Sequence, residues 1–144
     1  MTTDTQPDDV ADDSHVPEGT DYVSDRAFAD FPISDELIKG IHELGYLNAT
    51  PVQAATIEPG VAGKDLLVRA KTGTGKTTAF CTPVLERAEA GARKPQAVIL
   101  APTRELAQQI AEEASGIAKY KDLNFAVLVG GLAMGPQEKA LNDG

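Results

Sequence analysis

The tightest constraint on this chain lies between residues 65 and 78. An apolar, strand-like run, Asp65-Leu66-Leu67-Val68, leads into Ala70-Lys71-Thr72-Gly73-Thr74-Gly75-Lys76-Thr77, and Thr78 follows. Gly73 and Gly75 let the main chain turn where a side chain would collide, so successive N–H groups and the start of the next helix converge on one point. Such a point suits phosphate oxygens. In that arrangement Lys76 reaches the β and γ phosphates and Thr77 offers its hydroxyl to Mg²⁺, with residues Ala70 to Thr78 forming the cradle. The usual loop opens with Gly, and here Ala70 takes that place. The plainer reading is a glycine-rich strand-to-helix turn; the strand before and the helix after favour the phosphate loop.

At 144 residues the chain makes one domain at most, and 42% hydrophobic residues suffices for a packed core. A net charge of −9 argues at first against a nucleic-acid partner. Its distribution argues otherwise. Residues 1–30 hold nine acids against Arg26 alone, which leaves the rest of the chain nearly neutral. The first 24 residues, rich in Asp, Thr and Pro, cannot bury enough apolar surface to offset their ordering entropy, so 1–24 reads as a disordered acidic tail. It is either a solubilising extension or an arm that docks a basic partner.

No run approaches a membrane span and the N-terminus lacks a secretory pattern, so the expected location is cytoplasmic. Cys81 stands alone, which excludes an internal disulfide; it reads as a small buried hydrophobe rather than a nucleophile. His15 and His42 are isolated, and no protein metal site is expected.

From residue 25 onward helices and strands alternate. Ser34 opens a helix with Asp35 and Glu36 in its first turn and Leu37, Ile38, Ile41 and Leu44 as its stripe; Gly45 ends it. Thr50-Pro51-Val52-Gln53 reads as a capping box with Pro at the first helical position. After the phosphate loop a helix runs from about Gly75 to Ala90. Ala97–Ala101 is a continuous apolar run of the buried-strand type, Thr103 caps a helix bearing Leu106, Ile110, Ala114 and Ile117, and Phe125–Val129 is a third strand before Gly130-Gly131. Pro136–Leu141 begins another helix. Repeated strand–helix units predict an α/β fold with a parallel sheet covered on both faces.

Phe28, Gly45-Tyr46-Leu47-Asn48-Ala49-Thr50-Pro51-Val52-Gln53, the loop, Pro102-Thr103-Arg104-Glu105-Leu106-Ala107 and Gly130-Gly131 occur in that order. Together they resemble the first half of the first RecA-like domain of DEAD-box RNA helicases. The resemblance covers about residues 26–144 and implies a partial RecA-like domain over 25–144. It implies binding of ATP with Mg²⁺ and sequence-independent binding of RNA through its sugar-phosphate backbone.

The Gln53 carboxamide can accept from adenine N6 and donate to N7, a pairing guanine cannot match because its O6 is an acceptor. On its own, Gln53 completing the Thr50 cap is an equal alternative. The resemblance makes Phe28 the aromatic that stacks on the base, although either Phe28 or its rival Phe31 suits a core position. It assigns Pro102, Thr103, Arg104, Gly130 and Gly131 to the RNA backbone, where helix N–H groups and Arg104 supply donors. The plainer readings are a helix cap for Thr103, a surface ion pair for Arg104 and a turn for the glycines.

Ala49, Val52 and Lys71 depart from the family pattern where Pro, Ile and Gln are common. Lys71 places an added positive charge near the phosphates. Neither Asp-Glu-Ala-Asp nor Ser-Ala-Thr nor the second domain's arginine motif occurs in these residues. The expectation is therefore an incomplete piece of a longer helicase, with a P-loop strand short of ladder partners and a tendency to fold partly or aggregate unless the remaining chain or a partner is supplied. A short binding module that holds ATP or RNA without catalysis, another phosphate-loop ATPase or kinase, and a DNA substrate are the alternatives. Phosphoryl transfer needs a carboxylate to organise Mg²⁺ and water and an arginine to stabilise developing charge. Purified chain with RNA should thus release no phosphate above background; RNA-stimulated release that disappears in Lys76→Ala would contradict this.

Overall fold

The computed structural model of the chain describes residues 23–143. Almost all of the predicted acidic tail lies outside the described residues. A 3-10 turn, Phe28–Asp30, precedes five helices: α1 (Asp35–Glu43), α2 (Pro51–Val61), α3 (Lys76–Arg87), α4 (Arg104–Ile117) and α5 (Met134–Asp143). Each helix lies where the sequence pattern placed one.

The helical caps show how local chemistry sets the boundaries. Thr50 accepts the Gln53 N–H at 3.4 Å while Gln53 Oε1 accepts the Thr50 N–H at 2.8 Å, closing the expected capping box with Pro51 just inside. Thr103 accepts the Leu106 N–H at 3.2 Å. Ser34 occupies the N-cap of α1, but its hydroxyl does not close on its own helix. Instead Ser34 donates both its N–H, at 2.9 Å, and its hydroxyl, at 2.8 Å, to the Glu86 carboxylate on α3. The first turn of α1 is thereby pinned to the end of α3.

The core is a helical cluster. Phe28, Phe31, Leu37, Ile41, Ala49, Ile57, Cys81, Leu85, Ile110, Ala114 and Ile117 bury one another, with α2 against α3, α3 against α4 and α4 against α1. At the last contact Gly40 meets the main chain of Ile117 so closely that a Cβ there would overlap the Ile117 carbonyl oxygen. At the periphery Arg26 pairs with Glu58 at 2.9 Å, stacks 3.9 Å over the Phe31 ring and holds the Glu58 carboxyl below its ordinary range. Lys119 and then Tyr120 do the same for Glu43. Such exposed pairs add little to stability.

The parallel sheet predicted from the apolar runs is not formed among the described residues. Among the described residues, 65–69, 97–101 and 125–129 join no ladder, and the one bridge is an antiparallel contact between Ala27 and Asn48. Leu67 is 103% exposed and Leu100 91%, in runs whose composition suits burial on both faces. The physical reason is pairing order. A strand buried on both faces needs neighbours at both edges, and none of these segments has a ladder partner among the described residues. Side-chain amides stand in where they can: Gln137 accepts the Val129 N–H at 2.9 Å and donates to the Val129 carbonyl at 3.4 Å, imitating a strand neighbour.

Hydrogen exchange reads this difference directly. Amides of Leu66–Val68 and Val98–Leu100 should exchange at nearly unstructured rates while those in the middle of α2, α3 and α4 are protected. Strong protection at Leu66–Val68 in the isolated chain would contradict it.

Candidate nucleotide and nucleic-acid site

The phosphate loop is built between two helix starts. Gly75 is the N-cap of α3 in the left-handed region, φ 83°, and its carbonyl accepts the first helical bond, from Ala79 N–H at 3.1 Å. The same carbonyl accepts Gln53 Nε2 at 3.1 Å, while the Thr50 hydroxyl donates to the Thr74 carbonyl at 2.8 Å. The capping box of α2 therefore uses its spare hydrogens to hold the loop before α3. Any side chain at Gly75 would collide with the Gln53 amide, so the left-handed turn and the close approach both demand glycine.

Within the loop, Lys76 Nζ donates to the carbonyls of Ala70, at 2.7 Å, and Lys71, at 2.6 Å, and Thr74 donates its hydroxyl to the Lys71 carbonyl at 2.8 Å. The ammonium thus lies inside the turn, bridging its first residues. Lys71 and Thr72 are exposed at the rim, and Thr77 is partly exposed at the second position of α3. The Gln53 side chain is 97% hidden, yet one Nε2 hydrogen and one Oε1 lone pair are left over after its bonds to Gly75 and Thr50. Both the adenine reading and the capping reading of Gln53 are compatible with this arrangement.

Two expected site residues turn inward. Phe28 is 0% exposed and packs 6.2 Å from Phe31 in the core, so its ring presents no face to a base. The ring belongs to the apolar core between the 3-10 turn and α1. Thr78 is also buried, and its hydroxyl donates to Glu113 on α4 rather than into the loop. Glu113 went unnoticed in the sequence. Its signal was the spacing Ile110, Glu113, Ala114 and Ile117, which puts a half-buried carboxylate beside the buried stripe of α4. Beside it, burial and then the Glu113 charge push the Cys81 thiol up to about 12, in keeping with a buried hydrophobe.

At the other cluster, Pro102, Thr103 and Arg104 form the exposed start of α4. The Arg104 guanidinium lies against Gly131, where an added Cβ would sit 3.0 Å from one of its terminal nitrogens. Segments 102–104 and 130–131, distant in sequence, thus form one exposed rim bearing a helix start and the Arg104 guanidinium. A shallow concavity lined by Gly91, Arg93, Asp122 and Asn124 includes none of the expected site residues. Among the described residues no group of three or more His, Cys, Asp or Glu is placed to hold a metal ion, and no helix is long and apolar enough to cross a membrane.

Comparison with known proteins agrees with this layout. The DEAD/DEAH box helicase family model matches residues 50–144. The chain is similar to the ATP-dependent RNA helicase DHH1 of Debaryomyces hansenii, with 42% identity over 118 residues covering 82% of this chain and 23% of that protein. It is 43% identical over 114 residues to the DEAD-box ATP-dependent RNA helicase CshA of Bacillus subtilis, covering 79% of this chain and 23% of CshA. Among solved structures, a DEAD box protein from the hyperthermophile Methanococcus jannaschii superposes with a TM-score of 0.77 at 34% identity, over 81% of this chain and 32% of that one. The RNA-helicase Prp28 from Chaetomium thermophilum, bound to ADP, gives 0.67 at 37% identity, over 77% and 28%. The chain spans about a quarter of the length of the curated relatives it matches. With the phosphate loop, the Gln53 cap and the Pro102-Thr103-Arg104 helix start all inside the matched region, this chain belongs to the DEAD/DEAH box helicase family.

Proposed function

We propose that residues 25–144 form the ATP-binding part of an ATP-dependent RNA helicase that couples ATP binding and hydrolysis to RNA unwinding or remodelling, working in the cytoplasm. The observation that carries this reading is the latch between Thr50 and Gln53 and the carbonyls of Thr74 and Gly75. It ties a base-reading carboxamide to a phosphate cradle. ATP supplies the phosphoryl group for the family's chemistry. The main-chain N–H groups from Thr72 to Thr78 and the Lys76 ammonium hold its phosphates, Thr77 offers its hydroxyl to Mg²⁺, and Gln53 pairs with adenine through its remaining hydrogen and lone pair. The donor set fits: left-handed Gly73 has no heavy atom within 4 Å of where a Cβ would stand, so the cradle is open on that side. When phosphate binds, Lys76 exchanges two neutral carbonyl acceptors for charged oxygens, a stronger class of hydrogen bond.

RNA is gripped at the second rim by the α4 N-terminus, Thr103, Arg104 and the Gly130-Gly131 turn. Such contacts read phosphate and sugar, so binding is independent of sequence. These residues hold neither the carboxylates nor the arginine that hydrolysis requires, and the chain alone binds without turnover. The tail acts as a solubilising extension.

Calorimetry with Mg·ATP tests the reading. Wild type should bind and Lys76→Ala should bind at least about tenfold more weakly, the equivalent of 1.4 kcal/mol. Equal binding by the two, or no binding by a folded wild type, would overturn it.

A further inference from the structure

Helices α3 and α4 meet along matching stripes. On α3 the stripe is Thr78, Cys81, Thr82 and Leu85, all buried; on α4 it is Ile110, Glu113, Ala114 and Ile117. Every residue of the two stripes is uncharged except Glu113. Its carboxylate accepts a hydrogen bond from the Thr78 hydroxyl, and the Thr78 carbonyl accepts from the Thr82 hydroxyl at 2.7 Å. Thr78 itself is 1% exposed. Glu113 is half-buried at the edge of this seam, and a charged acceptor makes the stronger kind of hydrogen bond. The pair therefore holds one rotational setting of α3 against α4.

The two ends of this link are unevenly placed. Thr78 is the third residue of α3, directly after Lys76 and Thr77, in the turn that faces the phosphates. Glu113 is on the helix whose first turn carries Arg104 against Gly131. A shift of the first turn of α3 on nucleotide binding would move the Thr78 hydroxyl and, through it, Glu113 on α4. Because α4 presents its N-terminus to the second rim, the effect reaches the RNA contacts.

We propose that Glu113 is a positioning residue that couples the nucleotide rim to the RNA rim, by holding the first turn of α3 to α4 through Thr78. This rests on the function proposed above. Coupling of this kind is reciprocal: whatever RNA does to nucleotide affinity, nucleotide must do to RNA affinity.

The test uses the whole chain, a non-hydrolysable Mg·ATP analogue and a short fluorescent oligouridylate, each titrated alone and in the presence of the other. In wild type each ligand should tighten the other by about fivefold or more. Glu113→Ala should bring that factor below about twofold while the separate affinities change by less than that factor, and Glu113→Gln, which keeps an acceptor oxygen without the charge, should retain most of it. Should Glu113→Ala fail to fold, Thr78→Ala removes the donor from the other side and must also abolish the coupling. A wild-type factor in Glu113→Ala, or equal loss in the Ala and Gln variants, overturns the proposal. Wild type that binds both ligands without mutual effect overturns it and leaves the proposed function standing, whereas wild type that binds neither overturns both.

Discussion

The start of α2 and the start of α3 meet at four side-chain and main-chain groups, and the rest of the site depends on that meeting. Thr50 and Gln53 satisfy each other as a capping box, then use their remaining hydrogens on the carbonyls of Thr74 and Gly75. A cap ordinarily serves its own helix and contributes about 1 kcal/mol. Here it serves two. The consequence is electrostatic as well as geometric, because the loop is bonded to the N-terminal turn of α2 and leads directly into that of α3, and each helix start carries a partial positive charge. Such an environment suits an anion, and hydrogen bonds within the chain itself hold it together.

Much of this was legible in the sequence because it is local. Proline after threonine with glutamine three residues on is a capping box wherever it occurs, and the loop's glycines at 73 and 75 both take positive φ. Helix positions followed from periodicity for the same reason. What the sequence left open is decided by distant partners. Ser34 had the residue type of a cap, yet Glu86, 52 residues away, offered its hydroxyl a charged acceptor. Phe28 had the position of a base platform, and the packing of α1 enclosed it. The apolar runs at 65–69, 97–101 and 125–129 carry strand composition, but a ladder needs neighbours that periodicity does not name.

The second lesson concerns buried polar groups on helical stripes. Thr78 reads from the sequence as part of the phosphate cradle, and Glu113 carries no reading there at all. Only the contact between α3 and α4 shows that the carboxylate turns inward to Thr78. The starts of α3 and α4 thus belong to two helices that share one polar link, Thr78 to Glu113, between otherwise uncharged stripes. Both helix starts lie within the region matched by the DEAD/DEAH box helicase family model.

The central claim is that Gln53 shapes the phosphate cradle as well as facing the base. Affinity for inorganic tripolyphosphate with Mg²⁺, a ligand with no base, separates the two roles. Gln53→Ala should weaken tripolyphosphate binding by about fivefold, consistent with losing a hydrogen bond worth about 1 kcal/mol to the Gly75 carbonyl. If tripolyphosphate binds wild type and Gln53→Ala equally well, the latch does not organise the loop and the account fails.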